Sequence, residues 1–136
     1  MSNNVSVYLQ AARVNFLRGT AYPSAPANTY VALFTTAPTN AGTGGTEVSG
    51  GAYARQAVAS SGWAAASGAS PTQTSNSGTI TFPTATASWG TATAFALYDA
   101  VTGGNMLYTA ALASSQTVSS GSTLSFQVGA LIIQED

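Results

Sequence analysis

Charge is what this chain has least of. Of 136 residues only three are basic and four acidic, 5% in all, against about 25% in an ordinary globular domain. The seven are Arg13, Arg18, Glu47, Arg55, Asp99, Glu135 and Asp136, and net charge is −1. Lysine, histidine and cysteine are absent. Three cations cannot neutralise a row of phosphates, so nucleic acid is excluded as a partner. Without histidine or cysteine there is no Ser–His–Asp or Cys–His nucleophile, no disulfide and no zinc site of the usual kind. Without lysine there is no Walker A loop. No run approaches the ~20 apolar residues of a membrane helix, and the start, MSNNVSVYLQAAR, lacks the basic head and apolar core of a signal peptide. We therefore expect a soluble protein made in the cytoplasm and used without signal-led secretion, with no membrane partner and no cofactor.

What is present points to folded β structure. Apolar residues make up 45% of the chain and fall in periodic runs, so low charge here does not mean disorder. Residues 78–112, GTITFPTATASWGTATAFALYDAVTGGNMLYTAAL, read as three successive strands of a meander. Ile80 and Phe82 share a face of residues 78–82, and Pro83 ends pairing. Residues 91–99 alternate again, with Thr93, Phe95 and Leu97 on one side and alanines with Tyr98 on the other. Asp99 opens a turn completed by Gly103 and Gly104, and residues 106–112 run back.

The one helical signal is residues 6–17. Val5, Leu9, Ala12 and Phe16 recur at helical spacing, Ser6 is an N-cap, Arg18 complements the dipole and Gly19 is a C′ residue. The helix either packs across the sheet or acts as an N-terminal arm that docks on a neighbouring subunit. A two-proline linker leads to residues 29–35, a strand apolar on both faces and so expected to be central and twice covered. Residues 37–51 form a long Gly/Thr-rich loop carrying Glu47, and residues 53–59 a short strand carrying Tyr53 and Arg55. Residues 60–77, SSGWAAASGASPTQTSNS, are low in complexity and would order only if Trp63 finds a pocket. Residues 122–133 read as the last strand, with Leu124, Phe126 and Val128 on one face, Leu131 and Ile133 on the other, and a bulge at Gly129 where the register shifts. Seven or eight short strands with many turns make an all-β chain: an antiparallel β-sandwich, jelly-roll-like, with one N-terminal α-helix. The expected division is a helical arm over residues 1–19 and a single sandwich over 20–136.

Chemistry is scarce. The only internal carboxylates, Glu47 and Asp99, could in principle form the acid–base pair of a glycosidase, yet both lie in Gly-rich turns, where Asp99 is more simply a turn-capping group. Asp99 with nearby carbonyls falls short of the six to eight oxygens calcium takes. Gly42–Gly45 does not join a strand to a helix as a phosphate cradle does. Trp63, Trp89, Tyr22, Tyr53 and Tyr108 could offer a sugar-stacking face, but aromatics in a β protein more often serve core or interface. Trp89 is expected to cover an end of the sandwich, Trp63 to contact another subunit. Exposed strand edges are normally guarded by charge, and this chain has almost none to use, so copies of itself or another protein are expected to cover them. The partner-contact candidates are Val5, Leu9, Phe16, Arg18, Glu47, Tyr53, Arg55 and Trp63.

Several strings taken together, TYVALFTTAPT from Thr29, GGTEVSGGAYARQ from Gly44, ITFPTATASWG from Ile80 and LYDAVTGGNMLY from Leu97, resemble a family of small tailed-bacteriophage virion proteins. The resemblance runs from the helix to the last strand, and residues 60–77 depart from the family's pattern. Members are commonly labelled tail fibre proteins, and proteins of this size also serve as decoration, or cement, subunits. The resemblance implies a virion structural protein without enzymatic activity. We expect a homo-trimer or dimer on the capsid exterior, bound to the major capsid protein and stabilising the shell. The alternative is a tail fibre or baseplate component that contacts tail proteins or binds host surface glycan.

Overall fold

The computed structural model describes residues 4–136. Helix α1 (Val7–Asn15) continues into a 3-10 turn (Phe16–Arg18) and is followed by nine strands. These are β1 (Asn28–Thr36), β2 (Thr46–Glu47), β3 (Gln56–Ala59), β4 (Thr72–Ser75), β5 (Ile80–Thr81), β6 (Gly90–Tyr98), β7 (Met106–Val118), β8 (Ser125–Phe126) and β9 (Ile132–Glu135). All pairings are antiparallel.

One layer is a five-stranded sheet. β1 lies in its interior, with β6 on one side and β2 and β3 sharing the other, and β7 continues beyond β6. The second layer consists of two ribbons, β4–β9 and β5–β8. Between the layers lies the main core: Val31 and Leu33 of β1, Phe95 and Leu97 of β6, then Ile80, Phe82, Phe126, Leu131 and Ile133 from the ribbons. The sandwich is all-β with one short N-terminal helix, as the periodicity predicts. β1 is apolar on both faces because both are covered. Ala32 and Phe34 join Ala94, Ala96 and Met106 in a second buried cluster on the sheet's other side.

Local signals hold where local physics decides. Ser6 caps α1, its hydroxyl accepting from the Leu9 N–H at 3.3 Å, and Gly19 takes the left-handed conformation at φ +81°. Trp89 closes one end of the core, donating its indole N–H to the Gly51 carbonyl and meeting Tyr53 edge-on at 5.4 Å.

Four expectations are corrected. Residues 78–82 do not begin a meander: β5 belongs to the other layer, paired to β8, and only β6 and β7 form a hairpin. β7 runs on to Val118 rather than stopping at 112. Residues 122–133 are not one strand. The chain turns at Gln127–Ala130, with Gly129 at φ +79°, so that β8 and β9 pair in different ribbons. Thr93 is exposed, because a bulge beside it leaves Ala92 to accompany Phe95 and Leu97 into the core.

Residues 60–77 are ordered by three anchors. The Trp63 indole donates to Thr29 Oγ1 at 2.9 Å and packs against the main core. β4 pairs β9. Asn76, 1% exposed, donates to the carbonyls of Gly78 and Gln127 and accepts from the Leu131 N–H.

Residues 4–6 close one side of the sandwich. Thr109 N–H donates to the Asn4 carbonyl and Ser6 N–H to the Leu107 carbonyl, so this segment adds a short strand to the edge of β7. Asn4 also bonds Gln134 of β9, through its N–H to the Gln134 carbonyl and its side-chain oxygen to the Gln134 N–H. One short segment thus joins the two layers, with Val5 wholly buried beneath it.

Candidate functional site

Two groups of candidate residues come together in separate places. The first is built around Arg55, just before β3. Its guanidinium forms a two-pronged bridge to Glu47, Nε to Oε2 at 2.9 Å and Nη2 to Oε1 at 2.8 Å. Nη1 reaches across to the carbonyls of Ala100 (3.0 Å) and Gly103 (2.9 Å), and the Tyr98 ring lies 3.7 Å from the guanidinium carbon. Tyr53 completes the cluster, donating its hydroxyl to Glu47 Oε2 and accepting the Leu33 N–H. A planar cation with five donors suits this arrangement, and Arg55 uses its fork on a carboxylate, a turn and a ring at once.

Burial opposes ionisation of Glu47, but hydrogen bonds from Arg55 and Tyr53, with the Arg55 charge, outweigh it and hold the carboxyl below its usual range. Burial chiefly, and the neighbouring carboxylate, push the Tyr53 phenol well above its ordinary value. A carboxylate so committed has no free proton chemistry near neutrality. Asp99 is likewise engaged, Oδ1 accepting from the Asn105 N–H at 2.7 Å and Oδ2 from its side-chain amide. Gly104, at φ +76°, leaves no room for a Cβ beside that carboxylate. Among the described residues no three acidic side chains stand together as a metal cluster would require.

The second group is the arm. Val5 and Leu9 face inward and are buried, and Arg13 pairs with Glu135. Phe16, though on the inward side by spacing, begins the 3-10 turn after α1 and is 63% exposed. Val14 and Leu17 are 65% and 86% exposed, and Arg18 beside them is also exposed. The arm thus carries apolar side chains on two faces and buries one.

Trp63 belongs to neither group. Its ring is half-buried in its own chain, near Thr29, Leu97, Tyr108 and Ile133. Sequence reasoning missed Tyr98 as the platform under Arg55, the two turn carbonyls, Asn4 and Asn76. Nothing local marks them: each acts across more than 40 residues. No helix is long and apolar enough to cross a membrane.

No curated protein matches the chain. A family model does, over residues 4–134, and its description is podophage GP4 fiber I protein gp80. That span takes in the arm, both layers of the sandwich and the Arg55 cluster, and the chain therefore belongs to this family of phage fibre-type structural proteins.

Proposed function

We propose that the chain is a non-enzymatic structural protein of the virion exterior, held there by its N-terminal arm. The reading we favour is a capsid decoration subunit, self-associated as a trimer or dimer, that binds the major capsid protein and braces the shell. The observation that carries it is the exposed C-terminal end of the arm, where Val14, Phe16 and Leu17 stand in solvent while Val5 and Leu9 anchor the arm to the sandwich. A helix apolar on two faces is a helix awaiting a second neighbour. Within these 136 residues there is a globular sandwich and no shaft-like repeat, which suits a seat on a shell. Engagement of Glu47 by Arg55 and of Asp99 by its own turn supports the absence of catalysis.

A second reading, a tail fibre or baseplate component that contacts tail proteins or host glycan, is favoured by the family's own description. Cryo-electron microscopy of particles with and without the protein separates the two. Regular density on the shell, lost with the protein, is the expected result, and density confined to the tail establishes the second reading. Removing residues 1–19 is a poor test of the arm, because it also removes the strand at 4–6. The Val14→Ser, Leu17→Ser double variant keeps the inner face intact. It should fold normally and occupy particles less, and wild-type occupancy would refute the arm as the seat.

A further inference from the structure

Arm and sandwich are joined by a strap that hydrogen-bonds to neither. Gly19 and Thr20 donate to the Phe16 and Asn15 carbonyls and so finish the arm, while the Ala27 carbonyl accepts from the Ser60 N–H at the entry to β1. Between them residues 21–26, AYPSAP, take part in no hydrogen bond among the described residues, and all but Pro23 are exposed. The arm is held elsewhere, in the seam between β7 and β9. Asn4 and Ser6 bond to both strands, and Val7 donates its N–H to the Asn40 carbonyl at 2.9 Å. Val5 and Leu9 are buried there, and Arg13 pairs with Glu135, whose other oxygen accepts the Tyr108 hydroxyl at 2.9 Å. Nothing in this seat is supplied by the strap, so the seat is the same whichever copy's arm fills it.

From this arrangement we infer that the arm is exchanged between copies, residues 4–18 of one chain occupying the seam of the next. Exchange rests on the self-association proposed above and supplies its mode. Closed and exchanged forms make the same arm contacts, so the balance falls to the strap and to the nearness of a neighbour. A strap without bonds swings open at no cost in contacts on either side. Pro23 and Pro26 make it a semi-rigid, extended spacer rather than a collapsing coil. Extended, residues 21–26 alone reach about 20 Å, enough to cross to a touching copy. Copies fixed side by side on one surface offer their seams at an effective concentration on the order of millimolar, which lets the neighbour's seam compete with the chain's own. Tyr22, 43% exposed in the strap, then gains the adjoining strap as a neighbour, which a closed chain does not provide. The occupant is a second copy because the seat's specific pairs, Arg13 with Glu135 and Asn4 with Gln134, match this arm to this sandwich.

The chain has no cysteine, so a thiol pair placed across the seat reports on the seat alone. In the Arg13→Cys, Glu135→Cys double variant a short bismaleimide replaces the ion pair. Thermal melting checks that the variant folds. Crosslinked as the assembled oligomer and then denatured, it should run chiefly as species of two or more chains. A photo-crosslinking residue at position 13, with Glu135 left in place, supplies a second measurement that does not depend on the cysteine variant's folding. Its product should join two chains, with the attachment point in β9 of the second. An oligomer whose crosslinks all lie within single chains, or run to a different protein, overturns exchange and leaves self-association standing. Wild-type protein with the native mass of one chain, in solution and released from particles, would instead overturn self-association and exchange together.

Discussion

Arg55 is the residue on which most depends. Its side chain is only 8% exposed, and it satisfies a carboxylate and two carbonyls while resting on Tyr98. Removing one partner of such a pair strands the other, so Arg55→Ala costs much more than Arg55 and Glu47 would cost if replaced together. Glu47 gives the pair a pH signature. Its folded-state pKa is depressed from 4.5, so its contribution is fully present above that value and is lost as pH falls through the folded pKa. Urea midpoints should therefore decline in wild type from about pH 5 downward, and Glu47→Gln should be less stable near neutrality with a flatter acid limb. An unchanged acid limb would mean that Glu47 does not carry this linkage. Of this cluster the sequence displays Glu47, Tyr53 and Arg55 as candidates close together. It does not display what they do, because Tyr98, Ala100 and Gly103 enter from the far side of the sheet.

At the scale of elements, Asn76 holds the two ribbons in place. Two of its side-chain hydrogen bonds, to Gln127 and Leu131, fix the β4–β5 connection to the turn between β8 and β9, and a third, to Gly78, braces the connection itself, all from a position shut off from solvent. Asn76→Ala orphans two carbonyls and an N–H, each costing about 1–3 kcal/mol when buried. We expect a loss of roughly 3 kcal/mol in chemical denaturation, and a loss under ~0.5 kcal/mol, the size of an ordinary surface change, would show that water replaces the side chain. This is also where the sequence reads least well. Alternation sets Leu124, Phe126 and Val128 on one face and Leu131 and Ile133 on the other; four of the five are buried, and Val128, in the turn that replaces the expected continuous strand, is 63% exposed. Yet a shift of register at Gly129 is equally the sign of a bulge or of a turn, and only the choice of partner strand separates them. Ile80 and Phe82 pose the same difficulty: alternation says which side chains face the core, not which layer they face it from. Ser6 and Gly19 were legible because a cap and a left-handed terminus are settled within one helical turn.

For the whole molecule, scarcity of charge sets the terms of association. Among the described residues two ion pairs, Arg13–Glu135 and Arg55–Glu47, take up two of the three cations. Little is left for long-range attraction, and attachment must draw on apolar area and main-chain hydrogen bonds. Occupancy on particles should accordingly change by less than about twofold between roughly 0.1 and 1 M salt, a range that screens exposed charges almost completely. A steep loss with salt would point to Arg18, the exposed cation of the arm that lies outside these two ion pairs, as a principal contact.

The link between Asn4 and Gln134 also sets an order in time. These residues are 130 positions apart, and their bonds join the two layers. A ribosome adding about 5–20 residues each second delivers the second partner on the order of ten seconds after the first. Until then the arm has β7 at most to hold it, and the seam stands open along its whole length. The nascent chain therefore passes through an interval in which its uncharged edge is at its longest, and crowding of neighbouring copies on one message would find it then.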